Sequence, residues 1–496
     1  MNLEYLFEEK EFNFSETSHL NRRDFLKQFG GGIIILFSTG EFFSAQAQQN
    51  RRRRGNQYPT DLNAYLRIAE DGRVSCFTGK IEMGQGIITS LAQMLAEELE
   101  VPLESVNMVM GDTKLCPYDG STTGSRSTKY FGPPLRRAAA EAKTVLLQLA
   151  AEHWSIPEKN LLVKDGLIFD KGNGNKKISY AQIVKGKKIT RKLKGQAAIK
   201  HHSTHKISGK ATYRADSLQK VTGEAKFAGD IRLPGMLYAK VLQPPSHGAK
   251  LKSVDITAAQ NIKGTKVINE SDLVVVLHEN PEQAEIALNS IKADWIEKEY
   301  NVDNKTIFEY LQNSISSSNV SAENGILDEG KKLAAQSFDF TYLNHYVAHA
   351  PSETYTVVVN VGKDEVKVWA STQAPFRVRS TVAGTLNLPV EKVHVITPFV
   401  GGGFGGKKSG LQVEEAARLA QLTGRPVQLA WTRKEEFFYD AFRPAAVIKS
   451  KSGLDKSGKI VYWDFEIIFT GSRSSTPIYS ITSKVFVFCA KEFYYP

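Results

Sequence analysis

Cysteine is scarce in this chain: Cys76, Cys116 and Cys489 are the three among 496 residues. They lie too far apart for a C-x-x-C clamp, and an odd number cannot all pair. That excludes a disulfide scaffold and any iron–sulfur or zinc-finger site built from this chain's own cysteines. A run fit to cross a bilayer is lacking too. The apolar stretch near the start, residues 29–43, is broken by glycines and Glu41, and at about fifteen residues it falls short of the roughly twenty that a spanning helix needs. The 38 glycines follow no collagen period and no heptad pattern is sustained. What remains is globular in character, with 41% hydrophobic, 10% aromatic and 24% charged residues. At roughly 150 residues per domain, that predicts about three domains and a large core. Sixty-four Lys and Arg against 53 Asp and Glu give a net charge of +11, read as a solubilising surplus with no nucleic-acid partner.

The first residues read as an address. Arg22 and Arg23 precede Asp24-Phe25-Leu26-Lys27, an apolar stretch and then Ala45-Gln46-Ala47. Twin arginines, a short apolar core and an A-x-A site make a twin-arginine export signal over 1–47, predicting a periplasmic protein, with an uncleaved membrane anchor as the alternative. That segment holds seven acids and four bases, so its removal would make the chain more basic. Export of already folded proteins by this route is indirect evidence for a cofactor acquired inside the cell.

Arg51–Arg54 mark a solvated tether. Alternation through Ala64–Ile68, an Asp71-Gly72 turn and Val74–Thr78 predict a hairpin. A glycine turn at Gly84 and Gly86 precedes an amphipathic helix with Leu91, Met94, Leu95 and Leu99 on one face. A strand over Val106–Met110 leads to a hydroxyl-rich loop over Gly120–Thr128, then an alanine-rich helix over Leu135–Trp154. His201, His202 and His205 sit in a lysine-rich stretch with no interleaved carboxylate or cysteine, and are read as part of a linker rather than as metal ligands. Later strands are predicted over Thr356–Val361, Val366–Ala370 and Val393–Val400, with a helix over Leu411–Leu422. Strands and helices alternate as in α+β or mixed α/β layers.

Between the last of these strands and that helix stands Gly401-Gly402-Gly403-Phe404-Gly405-Gly406-Lys407. It nearly satisfies a P-loop, although Lys408 stands where Ser or Thr should hold magnesium. Gly401, Gly403 and Gly406 also fit the G-x-G-x-x-G of a dinucleotide fold. A third reading is a loop pressed against a flat cofactor, where the missing Cβ atoms let backbone amides approach and Phe404 alone projects a ring. A plain strand-to-helix turn is the fourth.

The glycine loop keeps specific company: His349-Ala350-Pro351-Ser352-Glu353, Ser371-Thr372-Gln373-Ala374-Pro375, Met83-Gly84-Gln85-Gly86 and Thr122–Thr128. Together these resemble the molybdopterin-binding subunit of the xanthine dehydrogenase and aldehyde oxidase family, most of all its isoquinoline 1-oxidoreductase β-subunit type. The resemblance runs from about Leu62 to Arg443. It implies an α+β multidomain molybdenum-hydroxylase architecture with a hammerhead-like domain between two molybdopterin-binding regions. On this basis the chain divides into a leader at 1–47, a tether at 48–61, a molybdopterin-binding region at 62–184 and a basic linker at 185–213. After these come a hammerhead-like domain at 214–300, a connection at 301–337 and a second molybdopterin-binding domain at 338–496.

By the same resemblance Gly84, Gln85 and Gly86 would contact the pterin or the metal's oxo ligand. Gly124, Ser125, Arg126, Ser127 and Thr128 would hold its phosphates and pterin. Gln373 and Gly402, Gly403, Phe404, Gly405 and Gly406 would pass beneath the molybdenum centre, with Phe404 as a wall for the substrate ring. The implied reaction is oxidation of an N-heteroaromatic or an aldehyde with oxygen from water. The cofactor is molybdenum–molybdopterin, as a dinucleotide, and electrons leave through iron–sulfur clusters on a separate small [2Fe-2S] subunit. Lys408 stands where purine-oxidising relatives carry an acid, which argues against a purine substrate. The family's catalytic glutamate lies in a far C-terminal G-x-G-E segment. This sequence ends at Pro496 without it, so a truncated chain is expected and its catalytic residue is unassigned. The alternatives are a non-catalytic exported remnant or assembly partner of the same fold and, more remotely, a P-loop-like ATPase. Of the acids beside the motifs, Glu82 is expected to face solvent.

Overall fold

The computed structural model describes residues 32–37, 64–192, 197–270, 273–299, 302–408, 410–470 and 481–489. The twin arginines, Ala45–Ala47 and the tether lie outside them. The chain divides into two compact units, the first formed by residues 1–242, 255–292 and 351–436, the second by 243–254, 293–350 and 437–496. Helices and mixed sheets make up both, an α+β organisation.

The first unit contains two large sheets. One has five strands in the order Val106–Met110, Val74–Thr78, Ala64–Ala69, Gly32–Phe37 and Lys188–Lys192. The expected hairpin is there, with Leu66 opposite Cys76 and Ile68 opposite Val74. Its neighbour was not expected: Gly32–Phe37, from the apolar stretch read as a leader core, pairs antiparallel with Ala64–Ala69 and parallel with Lys188–Lys192. Ile33, Ile34 and Ile35 are 1%, 3% and 0% exposed. Burying one such side chain is worth roughly 1.5–3 kcal/mol, and alternation along a strand means that both faces are covered.

Helices Ile87–Leu99 and Gly132–Trp154 pack together on this sheet. Leu91, Leu95, Leu99, Leu135, Ala138, Ala142 and Leu146 join Ile33, Ile35, Leu66 and Ile68 in one core. Alanines along the longer helix let it lie close, and Pro133 and Pro134 in its first turn need no amide partner.

The other sheet has seven strands, ordered Lys266–Glu270, Leu273–His278, Leu237–Val241, Val427–Ala430, Thr356–Val361, Val366–Ala370 and Val393–Ile396. Leu273–His278, Thr356–Val361 and Val427–Ala430 are largely buried, as suits strands covered on both faces, whereas Leu237–Val241 and Val366–Ala370 alternate. Three strands of this sheet, Leu237–Val241, Lys266–Glu270 and Leu273–His278, precede position 300 and come from the stretch read as hammerhead-like, so residues on both sides of that position share one sheet. The predicted strand over Val393–Val400 ends at Ile396.

The supposed linker after residue 185 is fastened where it is described. Glu97, 1% exposed, accepts from the amides of Lys206, Ile207 and Ser208 at 2.8, 2.7 and 3.2 Å, while Glu98 accepts from Lys200 N at 3.0 Å. Four donors, Lys200 Nζ included, hold the Glu97 carboxyl down at about 2 despite the burial that works to raise it.

In the second unit a five-stranded sheet is ordered Ile315–Asn324, Ile481–Cys489, Ile460–Thr470, Ala446–Leu454 and Gln336–Asn344. Val447 and Ile468 pack against Phe308 and Leu311 of a short helix.

Candidate functional site

The strand Val74–Thr78 delivers the chain into Lys80-Ile81-Glu82-Met83-Gly84-Gln85-Gly86, and Glu82 shapes this turn from within. Its Oε1 accepts from Gly84 N and Gly86 N at 2.9 Å each, and its Oε2 from Ile88 N at 3.0 Å, which caps the helix Ile87–Leu99. Glu82 is 5% exposed, so the expectation that it faces solvent is corrected. Three backbone donors converging on one carboxylate outweigh its hydration. Arg214 completes the clamp, donating from Nη1 to Gly84 O at 2.7 Å and lying 3.4 Å from Glu82 Oε1 through Nη2. Asp216 holds the same guanidinium. Gln85 folds back, accepting from Met83 N at 2.6 Å and donating to Ile81 O at 2.9 Å. Gly84 and Gln85 remain exposed at the loop's tip.

The hydroxyl-rich loop is tied to this one through Thr122, whose Oγ1 accepts from Ile81 N at 2.9 Å. Gln373 then joins it to the glycine run. Its Nε2 donates to Thr122 O at 2.7 Å, its Oε1 accepts from Gly405 N at 3.0 Å, and its own N donates to Lys407 O at 2.9 Å. Both ends of the Gln373 amide are therefore spent on protein, and the residue is 1% exposed. It acts as a strut holding loops, rather than as a free group under a ligand. Gly124, Ser125, Arg126 and Thr128 are exposed and Ser127 is buried.

Beneath the glycine run lies a buried ion pair. Lys407 Nζ is 2.9 Å from Glu353 Oε2, which also accepts from Gly401 N at 2.8 Å and Ser371 Oγ at 2.7 Å. Burial pulls the Lys407 ammonium below its usual range and the Glu353 charge opposes that shift. With its side chain fully buried, Lys407 cannot reach a nucleotide, which removes the cation a P-loop requires. The next helix starts only at Leu411, too late to seat a dinucleotide's phosphates on its first turn directly after Gly406.

The tip of the run is open and conformationally unusual. Phe404 is 73% exposed at φ +51°, and Ser125 in the hydroxyl-rich loop has φ +54°. Non-glycine residues in this region are sparsely populated and cluster at ligand-holding loops. A Cβ at Gly403 would stand 2.6 Å from Gln373 Oε1, and one at Gly401 2.5 Å from Glu353 Cβ, so these positions need glycine to let the backbone lie on its struts. Among the described residues the amides of Gly402, Gly403 and Phe404 have no hydrogen-bond partner.

A cavity of about 50 Å³ lies under the first loop, lined by Ile81, Glu82, Ile88, Met108, Met110 and Phe399 among others. It is far below the roughly 300 Å³ of a typical small-molecule site. Among the described residues no three His, Cys, Asp or Glu side chains could hold a metal ion. The rings of His201 and His202 pack tilted at 4.1 Å between centroids and His205 lies 3.0 Å from Arg136. Open backbone amides, hydroxyls and glycine tips are a donor set suited to a large polar anion.

The site is thus a set of buried struts beneath exposed glycine and hydroxyl loops. One molybdopterin cofactor-binding domain model matches residues 9–228 and a second matches 310–496. The chain is 29% identical to a nicotinate dehydrogenase subunit of Pseudomonas putida over 86% of its length, covering 36% of that protein. It is 26% identical to the beta subunit of isoquinoline 1-oxidoreductase of Brevundimonas diminuta over 90% of its length, covering 64% of that protein. It also aligns with quinoline 2-oxidoreductase from Pseudomonas putida 86 at 20% identity and a TM-score of 0.48, over 56% of this chain and 44% of that one. The chain belongs to the xanthine dehydrogenase family of molybdopterin-binding subunits. It spans between about a third and two thirds of the length of the two curated relatives named.

Proposed function

We propose that this chain is the molybdopterin-binding part of a molybdenum-dependent hydroxylase that oxidises an N-heteroaromatic or aldehyde substrate with oxygen drawn from water. The observation that carries the reading is the single knot of Thr122, Gln373 and Lys407, which ties three of the family's motifs to one buried point. The bound cofactor would supply the redox chemistry. The chain's part is to hold and orient it. Gly84, Gln85 and Gly86, with Gly124–Thr128, would offer amides and hydroxyls to the pterin and its phosphates, in the dinucleotide form. The amides of Gly402, Gly403 and Phe404 would face it from the other side, with Phe404 as the substrate wall. Iron–sulfur clusters on a separate [2Fe-2S] subunit would carry the electrons away. The division into two molybdopterin-binding regions around a hammerhead-like stretch belongs to the same reading. Arg22, Arg23 and Ala45-Gln46-Ala47 support delivery to the periplasm by the twin-arginine route.

The test is molybdenum and pterin content per chain in protein purified with its iron–sulfur partner. Stoichiometric molybdenum that falls several-fold in Gly403→Val supports the reading. An empty fold from cells that load other molybdoenzymes, or full occupancy in the valine variant, sinks it.

A further inference from the structure

We propose that Gly32–Phe37 is a permanent strand of the folded protein, so that the mature molecule keeps the segment that reads in sequence as the apolar core of an export leader. The strand is not at an edge. It sits between Ala64–Ala69 and Lys188–Lys192, six register pairs on one side and five on the other. Cleavage after Ala47 would detach it and leave both neighbours with an open edge inside the sheet. It would also uncover Leu66 and Ile68, which are fully buried in the core that Ile33 and Ile35 complete.

Gly32 adds an observation of its own. At φ +124° its missing Cβ would stand 2.2 Å from Ile68 O, and its amide donates to Lys187 O at 2.5 Å. A glycine seated against backbone in this way is needed for close strand approach, which a leader's apolar core does not require. The molybdopterin cofactor-binding match starts at residue 9, so the whole run lies within the matched domain. A strand buried on both faces and paired on both sides cannot be removed without opening the sheet it joins. Folding of this sheet and removal of its leader are therefore mutually exclusive. Nothing in this depends on what the site binds.

The test uses the full chain with a C-terminal tag, recovered separately from cytoplasm and periplasm. Intact mass and thermal unfolding are measured on each fraction. Folded material from either compartment should contain residues 32–37, and Gly32→Val and Ile35→Ala should each lower Tm by roughly 5 °C or more. A folded species that begins near residue 48 with the wild-type Tm overturns the proposal, as does a Tm indifferent to both substitutions. If the variants fail to accumulate, amide exchange on the unsubstituted chain decides. Protection at Ile33–Leu36 equal to that at Leu66 and Ile68 supports the strand, and exchange at the rate of a free peptide overturns it.

Discussion

Single residues at the site divide into those exposed at the loop tips and those that hold the loops from beneath, and the two acids beside the motifs fall in the second group. Glu82 satisfies three backbone amides, and losing the charge from such a buried acceptor costs about 1–3 kcal/mol. Glu82→Gln should therefore lower stability by that order in urea unfolding and reduce molybdenum content. Glu353 is similarly engaged by Gly401, Ser371 and Lys407. In the loaded complex Glu353→Gln should lower turnover and molybdenum together, leaving turnover per molybdenum unchanged. A fall in turnover per molybdenum would make Glu353 the base instead. Gly403→Val harms the site first by striking Gln373 Oε1, 2.6 Å from where its Cβ must go. Gly403→Ala combined with Gln373→Ala should then be no less stable than Gln373→Ala alone, since the two losses share one contact. Strictly additive losses in chemical denaturation would show that the clash lies elsewhere.

At the scale of elements, the segment after residue 197 and the helix Ile87–Leu99 form one unit through Glu97 and Glu98. Glu97 titrates at about 2 when folded against an ordinary 4.5, a depressed carboxylate whose contribution is complete above about pH 4.5. That contribution is lost as pH falls through about 2. The difference in urea midpoint between the wild type and Glu97→Gln should thus be constant from neutral pH down to about 4.5 and shrink below it. A difference that grows on acidification would contradict the assigned donors. Helices and the hairpin of this unit are legible because local patterns specify them: apolar spacing around Leu91, Leu95 and Leu99, alternation at Ala64–Ile68 and the Asp71-Gly72 turn. The strand Gly32–Phe37 misleads for the opposite reason. A short apolar run bounded by glycines has the same composition as a leader core and as a doubly buried strand, and only its pairing partners tell them apart.

For the whole molecule, the reading as a cofactor-holding subunit makes assembly the relevant property. On that reading, reconstitution with a [2Fe-2S] partner should be required for electron flow to an artificial acceptor; the thiols Cys76 and Cys116 are both buried and pushed far above the usual thiol range by desolvation. Turnover by the isolated loaded chain at the rate of the complex would remove the need for that partner. Replacing Arg22 and Arg23 with lysine should leave folded protein in the cytoplasm, measured by fractionation, and equal periplasmic yield would end the export proposal.

Family membership is written in the amino-acid string alone, because its motifs are short and local: the Met83–Gly86 turn, the hydroxyl-rich stretch before Thr128 and the glycine run from Gly401. The helical segments are written there as well. Which of the motif groups lie exposed and which are tied up within the protein is not. Gln373, Glu82, Glu353 and Lys407 read as polar residues within motifs, and the folded arrangement is what shows the first two and Lys407 buried, Glu353 largely so, and all four consumed as struts. Their partners stand up to 251 positions away in the chain. A hydrogen bond of that span leaves no periodicity in the sequence, and it is decided when the two loops that carry its ends, each following a strand of a different sheet, are brought together.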